Sequence, residues 1–318
     1  MVLGNSPFVL KNSLLYLHTR KQPHQPLFML ESPHMEHLKD IVVIYHDQCR
    51  DGFGAAYAAW KKFGDNATYV PRKTQDPVPE GLEGKEIYIV DYSYKKPELE
   101  SLRTMNKSVV VIDHHKTSEE AVTSFPENIF DMEHSGAVLA WKYFHPDTEV
   151  PELLLYIEDH DLWHFKLPHT REFGAALGEY SQDFETWEQL DTNLDDRDDF
   201  SKFISLGAVL AGFEDKLVAN IVKFREKVLF EGKEIYVVNC SRIYRSIVGH
   251  ELATLNGMEA GVEMSIVYYR YDGKVHCSMR SNDEVDVREI AEKYGGGGHK
   301  NAASMRFDSF EDVPFTFL

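Results

Sequence analysis

The chain contains an apolar run that ends in one acid and two histidines, Ser108-Val109-Val110-Val111-Ile112-Asp113-His114-His115. Two earlier apolar runs end in a similar way. Ile41-Val42-Val43-Ile44-Tyr45 is followed by His46 and Asp51, and Glu86-Ile87-Tyr88-Ile89-Val90 is followed by Asp91. Short continuous apolar runs are typical of strands that are buried on both faces, as in parallel sheets. We therefore predict three parallel strands with polar side chains at their carboxyl ends.

The segments between these strands have helical patterns. Residues 53–62 are rich in alanine and aromatic residues, and residues 96–105 carry Pro97 near their start, followed by Leu99 and Leu102. Right-handed crossovers between parallel strands place all the carboxyl ends at one edge, where open α/β sheets bind ligands. We predict an α/β fold with a doubly wound, mainly parallel sheet.

The side chains at this edge have the chemistry of metal ligands. Any one of these acids alone could simply cap a helix, but the same arrangement after three successive strands favours a shared site. Carboxylate oxygens together with imidazole nitrogens suit Mn²⁺, and suit Mg²⁺ or Zn²⁺ less obviously. Two such ions can activate water and hold the oxygens of an in-line phosphoryl displacement. The predicted ligands from these segments are His46, Asp51, Asp91, Asp113 and His114.

Asp113-His114-His115 is the signature triplet of the DHH phosphoesterase superfamily, which the chain resembles from about Ile41 onward. The resemblance implies that Asp91 bridges two metal ions, and that Asp113 and His114 belong to the next ligand motif. It also implies that His115 lies nearer the substrate phosphate than the metal. The expected cofactor is a pair of Mn²⁺ ions, with Mg²⁺ as the alternative.

The first motif departs from the family pattern, which has two acids one residue apart before a glycine. In His46-Asp47-Gln48-Cys49-Arg50-Asp51-Gly52-Phe53-Gly54, a cysteine occupies the place of the first acid. A thiolate is a soft ligand for a hard ion. Three interpretations stay open: Asp47 substitutes for the acid, one metal site is weaker, or Cys49 binds a softer ion.

A fourth ligand motif is expected after the triplet, and Tyr156-Ile157-Glu158-Asp159-His160-Asp161-Leu162-Trp163 is the acid-rich candidate. The apolar segment 153–157 favours a helix that delivers an acid to the sheet edge. Asp161 is the first choice as the ligand and Asp159 the second. Ser135, which precedes the apolar segment 137–144, is predicted to cap a helix.

A glycine run near the carboxyl end forms a second motif, Gly295-Gly296-Gly297-Gly298-His299-Lys300. Glycine runs supply positive φ angles or bring backbone amides close to a ligand. With the predicted strand 275–279, Arg280 and the predicted helix 287–294, the run resembles the DHH-associated domain. The resemblance implies that Arg280, the glycine loop and His299 grip the substrate across a cleft from the metals, with Arg280 forking onto a phosphate. Tyr294 is interpreted as a core residue, with base stacking as the alternative.

We predict a disordered or targeting extension over 1–38, a DHH catalytic domain over 39–182, a helical linker over 183–232 and a DHH-associated domain over 233–318. Residues 182–199 contain eight acids and one arginine, and the apolar spacing over 200–228 predicts one long helix or two. Residues 1–30 contain no acid. Organelle targeting through residues 1–34 is therefore an alternative to the expected cytoplasmic location.

The net charge of −18 argues against tight binding of long duplexes, which requires clustered lysine and arginine. Short substrates fit better. The cysteines at 49, 240 and 277 form no paired framework, which is typical of a reducing compartment. No apolar run reaches the length of a membrane span. Oligomeric state and cleavage polarity are left open.

These features predict a metal-dependent phosphohydrolase that acts on short oligonucleotides or small nucleotides through an activated water. A cyclic-dinucleotide phosphodiesterase is one alternative. A pyrophosphatase or polyphosphatase is another, although the glycine-rich loop argues against it. A non-catalytic nucleotide-binding protein that has lost a metal through Cys49 is the third.

Overall fold

The computed structural model describes residues 38–73, 76–282 and 284–318. The predicted extension over 1–38, with its targeting segment over 1–34, lies outside the described residues except for residue 38. Leu38–Leu318 forms one compact unit that contains two sheets.

The first sheet is parallel, and its carboxyl edge carries the predicted ligands. Its strands run in the order β2-β1-β3-β4-β5. They are β1 (Ile41–His46), β2 (Ala67–Arg72), β3 (Glu86–Val90), β4 (Ser108–Asp113) and β5 (Ile129–Phe130). The three strands predicted from apolar runs are confirmed, with β1 and β4 each one residue longer.

Helices cover both faces of this sheet. Val43, Val90 and Ile112 point into the core that α1, α4 and α5 complete, whereas Ile44 and Val111 point into the core beneath α2. The predicted doubly wound α/β arrangement is therefore confirmed, and the predicted helix 96–105 has the predicted bounds. The helices before the second sheet are α1 (Arg50–Phe63), α2 (Lys96–Met105), α3 (Glu119–Thr123), α4 (Gly136–Phe144), α5 (Glu152–Asp161), α6 (Thr170–Leu177), α7 (Phe184–Leu194) and α8 (Arg197–Val222).

The second sheet is mixed and runs in the order β10-β11-β9-β8-β7-β6-β12. Its strands are β6 (Glu226–Phe230), β7 (Lys233–Asn239), β8 (Met264–Tyr271), β9 (Lys274–Ser281), β10 (Gly297–His299), β11 (Ala302–Phe307) and β12 (Phe315–Phe317). β7 and β8 are parallel and are connected through α9 (Arg245–Ala260), while the other pairs are antiparallel. α10 (Val287–Lys293) packs into the core on one face, and α8 and α9 cover the other.

The helical prediction for 183–232 holds only as far as residue 222. Glu226–Phe230 is a strand, in which Val228 and Phe230 are buried and Leu229 is exposed. This alternation has the period of a strand, and β6 pairs with both β7 and β12. The single long helix α8 is one of the two predicted arrangements. The glycine run is only partly a loop, because Gly297–His299 pairs with β11.

None of the helices within the described residues has both the length and the apolar composition that crossing a membrane would require.

Candidate metal centre

Three strands and two helices bring polar side chains to one place. His46 ends β1, Asp91 follows β3 and His114 follows β4, and parallel pairing puts these ends side by side. The first turn of α1 contributes Asp51, and the last residue of α5 is Asp161. Asp91 has a φ of 52°, in the left-handed region that aspartate tolerates better than most residues. The end of each predicted strand therefore supplies the polar residue predicted for it.

The side chains approach one another closely without forming good hydrogen bonds. His114 Nε2 lies 3.2 Å from Asp91 Oδ1, 3.6 Å from Asp51 Oδ2 and 3.7 Å from Asp161 Oδ2. His46 Nδ1 lies 3.6 Å from Asp91 Oδ2. Within the described residues, the buried atoms Asp91 Oδ1, His46 Nδ1 and His114 Nε2 have no hydrogen-bond partner. Each unpaired buried polar atom costs about 1–3 kcal/mol, so their convergence indicates a site for a ligand.

The donor atoms fit a metal centre. Three overlapping groups have ligand atoms within 4.8 Å of one another: His46 with Cys49 and Asp91, Asp91 with His114 and His115, and Asp51 with His114 and Asp161. Asp91 and His114 each belong to two groups, so neighbouring cations would share ligands. Buried carboxylates and imidazoles of this kind are paired or coordinate metals in proteins.

The electrostatics of the cluster also favour a cation. Burial and then the charge of Asp91 raise the pKa of Asp51 well above its ordinary value and raise the pKa of Asp161. Burial alone would also raise the pKa of Asp91, but the imidazoles of His114, His46 and His115 outweigh it and lower this pKa. A bound cation would favour all three charged carboxylates.

The amino end of α4 holds one of these acids. Asp51 Oδ2 accepts a hydrogen bond from Gly136 N at 2.7 Å, and Oδ1 accepts one from Ala137 N at 3.0 Å. A Cβ at position 136 would lie 2.5 Å from Asp91 Cβ, so only glycine fits there. Ser135 caps α4 as predicted, because its Oγ accepts a hydrogen bond from Val138 N.

The structure places Cys49 and Asp47 differently. Cys49 Sγ belongs to the group with His46 and Asp91, whereas Asp47 Oδ2 lies 3.9 Å from Lys73 Nζ at the surface. Burial, followed by the charges of Asp91 and Asp51, raises the pKa of the Cys49 thiol well above its ordinary value. The geometry thus favours Cys49 over Asp47 as the replacement for the missing acid.

Asp159 and Asp161 point in different directions from helix α5. Asp161 faces His114, while the Asp159 carboxylate turns to the following loop and accepts hydrogen bonds from Lys166 N at 2.9 Å and Leu167 N at 3.0 Å. Thr170 Oγ1 donates a further one. The geometry favours the first choice, Asp161, because Asp159 uses its oxygens to hold this loop and belongs to none of the three groups of ligand atoms.

The Asp113 carboxylate forms hydrogen bonds with residues that closely follow it in the sequence. Its Oδ1 accepts hydrogen bonds from His114 N at 2.8 Å and from His115 Nδ1 at 2.7 Å, and its Oδ2 accepts one from Ser118 Oγ. Asp113 therefore orients His115 and belongs to none of the three groups of ligand atoms, and its role as a ligand stays a prediction. Burial alone would lower the pKa of His115, but Asp113 and the charge of Asp91 raise it to about 9.

The second sheet approaches the cluster through His299, whose ring centroid lies 6.2 Å from that of His115. Gly295 and Gly298 have φ values of 73° and 147°, and a Cβ at Gly296 would lie 2.1 Å from Ser304 O. Gly297 faces open space. Glycine is thus required at 295, 296 and 298 by backbone geometry and packing.

Arg280 is held by residues of the second sheet and α9. It donates hydrogen bonds to Ser278 Oγ at 3.1 Å, Met279 O at 2.7 Å and Ser246 Oγ at 2.7 Å, and burial lowers its pKa to about 10. Tyr294 packs against the core of the second sheet and hydrogen-bonds Glu231, which agrees with the core interpretation.

A cavity of about 820 Å³ lies next to the cluster and was not predicted. Cys49, Asp51 and Asp161 form part of its wall, together with Arg50 and Trp163. Burial, with the charge of Arg50, lowers the pKa of the neighbouring His160 to about 4. The sequence signals for this cavity are Arg50, which lies between Cys49 and Asp51, and Trp163, which follows Asp161 by two residues.

Comparisons with known proteins agree with the fold. Residues 241–314 match the DHHA1 domain family. The chain is 32% identical over 299 residues to the uncharacterized protein R106 of Acanthamoeba polyphaga mimivirus, a match that covers 86% of this chain and 69% of the viral protein. A membrane protein–large ribosomal subunit bL9 fusion protein of Aster yellows witches'-broom phytoplasma is 23% identical over 227 residues, which cover 67% of this chain and 24% of that protein.

A solved structure is also similar to this chain. It is described as the DHH domain of a member of the s1p family of ribosomal proteins, PF0399. The identity is 13%, the TM-score is 0.53, and the match covers 88% of this chain and 83% of that one. The chain therefore belongs to one family with the mimivirus protein, carries a DHHA1 domain over residues 241–314 and has the fold of a DHH domain, in agreement with the DHH triplet at the edge of its first sheet.

Proposed function

We propose that this protein is a metal-dependent phosphohydrolase that cleaves phosphoester bonds of short oligonucleotides or small nucleotides by means of an activated water. The observation that carries the proposal is the convergence of three buried, unpaired atoms, on His46, Asp91 and His114, with the carboxylates of Asp51 and Asp161. The net charge of −18 supports short substrates, because long duplexes need extended basic surfaces.

The donor set supports two cations, with Mn²⁺ as the proposed ion and Mg²⁺ as the alternative. His46, Cys49 and Asp91 would hold one, and Asp51, Asp91, His114 and Asp161 the other. The Cys49 sulfur disfavours Mg²⁺ in the first position, since hard ions prefer oxygen ligands. Bound divalent cations lower the pKa of a water molecule and offset charge on phosphoryl oxygens.

The remaining side chains would orient the substrate. The Asp113 carboxylate accepts a hydrogen bond from Nδ1 of His115, which leaves Nε2 of His115 to face a phosphate oxygen. His299 approaches from the second sheet, so a phosphate between the two rings would contact both domains. Arg280, oriented by Ser246 and Ser278, would provide a further donor. In the glycine run, Gly295 N and Gly296 N already donate to Glu292 O and Ala291 O, so only the amides beyond them would be left to face the substrate.

The test is hydrolysis of a substrate panel by the purified full chain with Mn²⁺, Mg²⁺ or Zn²⁺. The panel contains dinucleotides, longer oligonucleotides, cyclic dinucleotides, bisphosphorylated nucleosides and pyrophosphate. We expect the highest rate on a dinucleotide or small nucleotide with Mn²⁺. Asp91→Asn removes the shared ligand, and Asp47→Asn is the matched control because Asp47 faces Lys73 at the surface.

We expect Asp91→Asn to abolish turnover and Asp47→Asn to retain it. Equal rates in the wild type and Asp91→Asn, or no hydrolysis of any member of the panel with any of the three ions, would refute the proposal. A preference for cyclic dinucleotides or pyrophosphate would replace the proposed substrate class with one of the alternatives.

A further inference from the structure

The cavity beside the metal cluster extends from the candidate ligands to the second domain. Its volume of about 820 Å³ is within the range of small-molecule sites, roughly 300–1,000 Å³. Its lining includes Cys49, Asp51 and Asp161 from the cluster, and Ile247 and His250 from α9. A substrate with its phosphate at the cluster therefore has room beside it for a group of the size of a nucleoside.

Trp163 gives this cavity an aromatic surface. The Trp163 side chain is 44% exposed, and its φ is 58°, in the left-handed region that bulky residues rarely adopt. Phe165 has a φ of 48°, so two aromatic residues of one short loop are strained in the same way. Strain of this kind persists where the surroundings impose it, and it concentrates at functional sites.

Neighbouring residues hold the backbone of Trp163 in this strained conformation. Asp159 holds the loop through Lys166 N, Leu167 N and Thr170 Oγ1. The rings of Phe165 and His250 lie 4.9 Å and 5.5 Å from that of Trp163, at interplanar angles of 86° and 66°. Within the described residues, none of the ring contacts of Trp163 is a parallel stack, so the indole keeps its capacity to stack on a ligand.

Arg50, which lies between Cys49 and Asp51 in the sequence, adds a positively charged side chain to the cavity. Its guanidinium lines the cavity, where burial lowers its pKa and the charge of Glu214 partly offsets this effect. Gly174 and Gly178 make space for it, since a Cβ there would lie 3.3 Å from Nη1 and 2.9 Å from Nη2. Because it lines the same cavity as Cys49, Asp51 and Asp161, this guanidinium could contact a phosphate that is bound at the cluster.

The acids of the cavity wall suit the polar groups of a nucleoside. Glu214 and Glu251 line the cavity, and Asp215 forms an ion pair with Arg171 at 2.6 Å. Carboxylates accept hydrogen bonds from exocyclic amino groups and ribose hydroxyls, whereas they repel a second run of phosphates. The wall thus favours a base and sugar over a polyphosphate tail.

We propose that this cavity binds the nucleoside portion of the substrate, with its base stacked on Trp163 and its phosphate between Arg50 and the metal cluster. This proposal rests on the proposed function and narrows the substrate class to molecules that carry a nucleobase. Pyrophosphate or polyphosphate would leave the cavity unused.

The first test compares two substrates with the same phosphodiester, a dinucleotide and its abasic analogue, on the full chain. Trp163→Ala removes the stacking surface, and Phe224→Ala is the matched control because Phe224 is an exposed aromatic residue outside the cavity. Base stacking predicts that the ratio of kcat/KM for the two substrates falls about tenfold in Trp163→Ala. The ratio should be unchanged in Phe224→Ala. An unchanged ratio in Trp163→Ala would overturn the proposal.

The second test fills the cavity from α8 and avoids the strained loop. Ala219 is exposed on α8 and lines the cavity, while the adjacent Asn220 is exposed and lies outside it. We expect Ala219→Trp to raise KM for the dinucleotide on the order of tenfold, and Asn220→Trp to leave it within about twofold of the wild type. Equal KM values in the two variants would contradict the proposal.

The third test separates this proposal from the proposed function, because it needs no turnover. Adenosine monophosphate should quench tryptophan emission in the wild type and should quench it far less in Trp163→Phe, which retains Trp60, Trp141 and Trp187. Quenching without hydrolysis of any substrate would refute the proposed function and keep the nucleoside site. Hydrolysis with the same quenching in both proteins would refute the nucleoside site and keep the function.

Discussion

The edge of the first sheet and the core of the second sheet both bury polar side chains, but they satisfy them differently. At the edge, Asp91 Oδ1 has no hydrogen-bond partner within the described residues. On α9, which covers the second sheet, Asn256 accepts a hydrogen bond from Tyr236 N at 2.7 Å and donates to Tyr236 O at 3.0 Å and Met264 O at 2.7 Å. A buried polar group that is fully bonded stabilises the fold, whereas one left unpaired indicates a ligand. Binding and stability should therefore respond separately in the two regions.

The largest effect is expected at Asp91. Asp91→Asn should weaken Mn²⁺ binding by at least about 100-fold, because one shared carboxylate contributes to two groups of ligands and even loss of a residue that supports a ligand costs up to about that factor. The measurement is isothermal titration calorimetry, with urea unfolding of the metal-free chain alongside it. A loss of stability as large as that of Asn256→Ala, with Mn²⁺ binding retained, would break the contrast.

Asn256→Ala tests the buried and fully hydrogen-bonded polar group beneath the second sheet. It leaves the N–H and C=O of Tyr236 and the C=O of Met264 without partners, so we expect the free energy of unfolding to fall by about 3 kcal/mol. Mn²⁺ affinity should not change. Asn220→Ala on the exposed face of α8 is the matched control and should alter stability by less than about 0.5 kcal/mol.

The pH dependence of stability sharpens the comparison, because burial lowers the pKa of His160 to about 4. The unfolded chain has a histidine pKa of about 6.5 and takes up this proton first as the pH falls. The contribution of His160 is therefore fully present above about pH 6.5 and is lost as the pH falls towards 4, by about 3 kcal/mol in total. In metal-free protein, His160→Gln should flatten the pH profile of unfolding between these values. The same slope in both proteins would exclude His160 as its cause.

The smallest effect is expected within the glycine run. Gly297 faces open space, so Gly297→Ala should change the free energy of unfolding by less than about 0.5 kcal/mol. A Cβ at Gly296 would lie 2.1 Å from Ser304 O, so Gly296→Ala should destabilise the second domain clearly. Similar midpoints for the two variants in thermal unfolding would show that the glycines act only through flexibility.

The sequence predicted the elements with strong periodicity and the identity of most polar residues at the sheet edge. The apolar runs at β1, β3 and β4 required strands, and parallel pairing then placed His46, Asp91 and His114 together. The sequence did not predict the direction in which some of these side chains point. The rotation of α5 separates Asp161 from Asp159, and a hydrogen bond within the triplet turns Asp113 towards His115. These outcomes depend on packing between distant segments, which no local pattern records.

The strand Glu226–Phe230 and the nucleoside-sized cavity were missed for related reasons. Five residues that follow a long helix carry too short an alternation to stand out, and pairing with β7 and β12 decides their conformation. The cavity is formed by α1, α5, α6, α8 and α9 together with the loop that carries Trp163, and several of these segments are distant in the sequence.

The hydrogen bonds from the amino end of α4 to Asp51 affect how a cation would bind at the candidate metal centre. A helix amino terminus carries about half a positive charge, and this charge is part of the backbone. One acid of the cluster therefore has a permanent counter-charge whether or not a cation is bound. A cation that binds at the candidate centre would accordingly meet a carboxylate that the backbone already orients, and its departure would leave that carboxylate hydrogen-bonded.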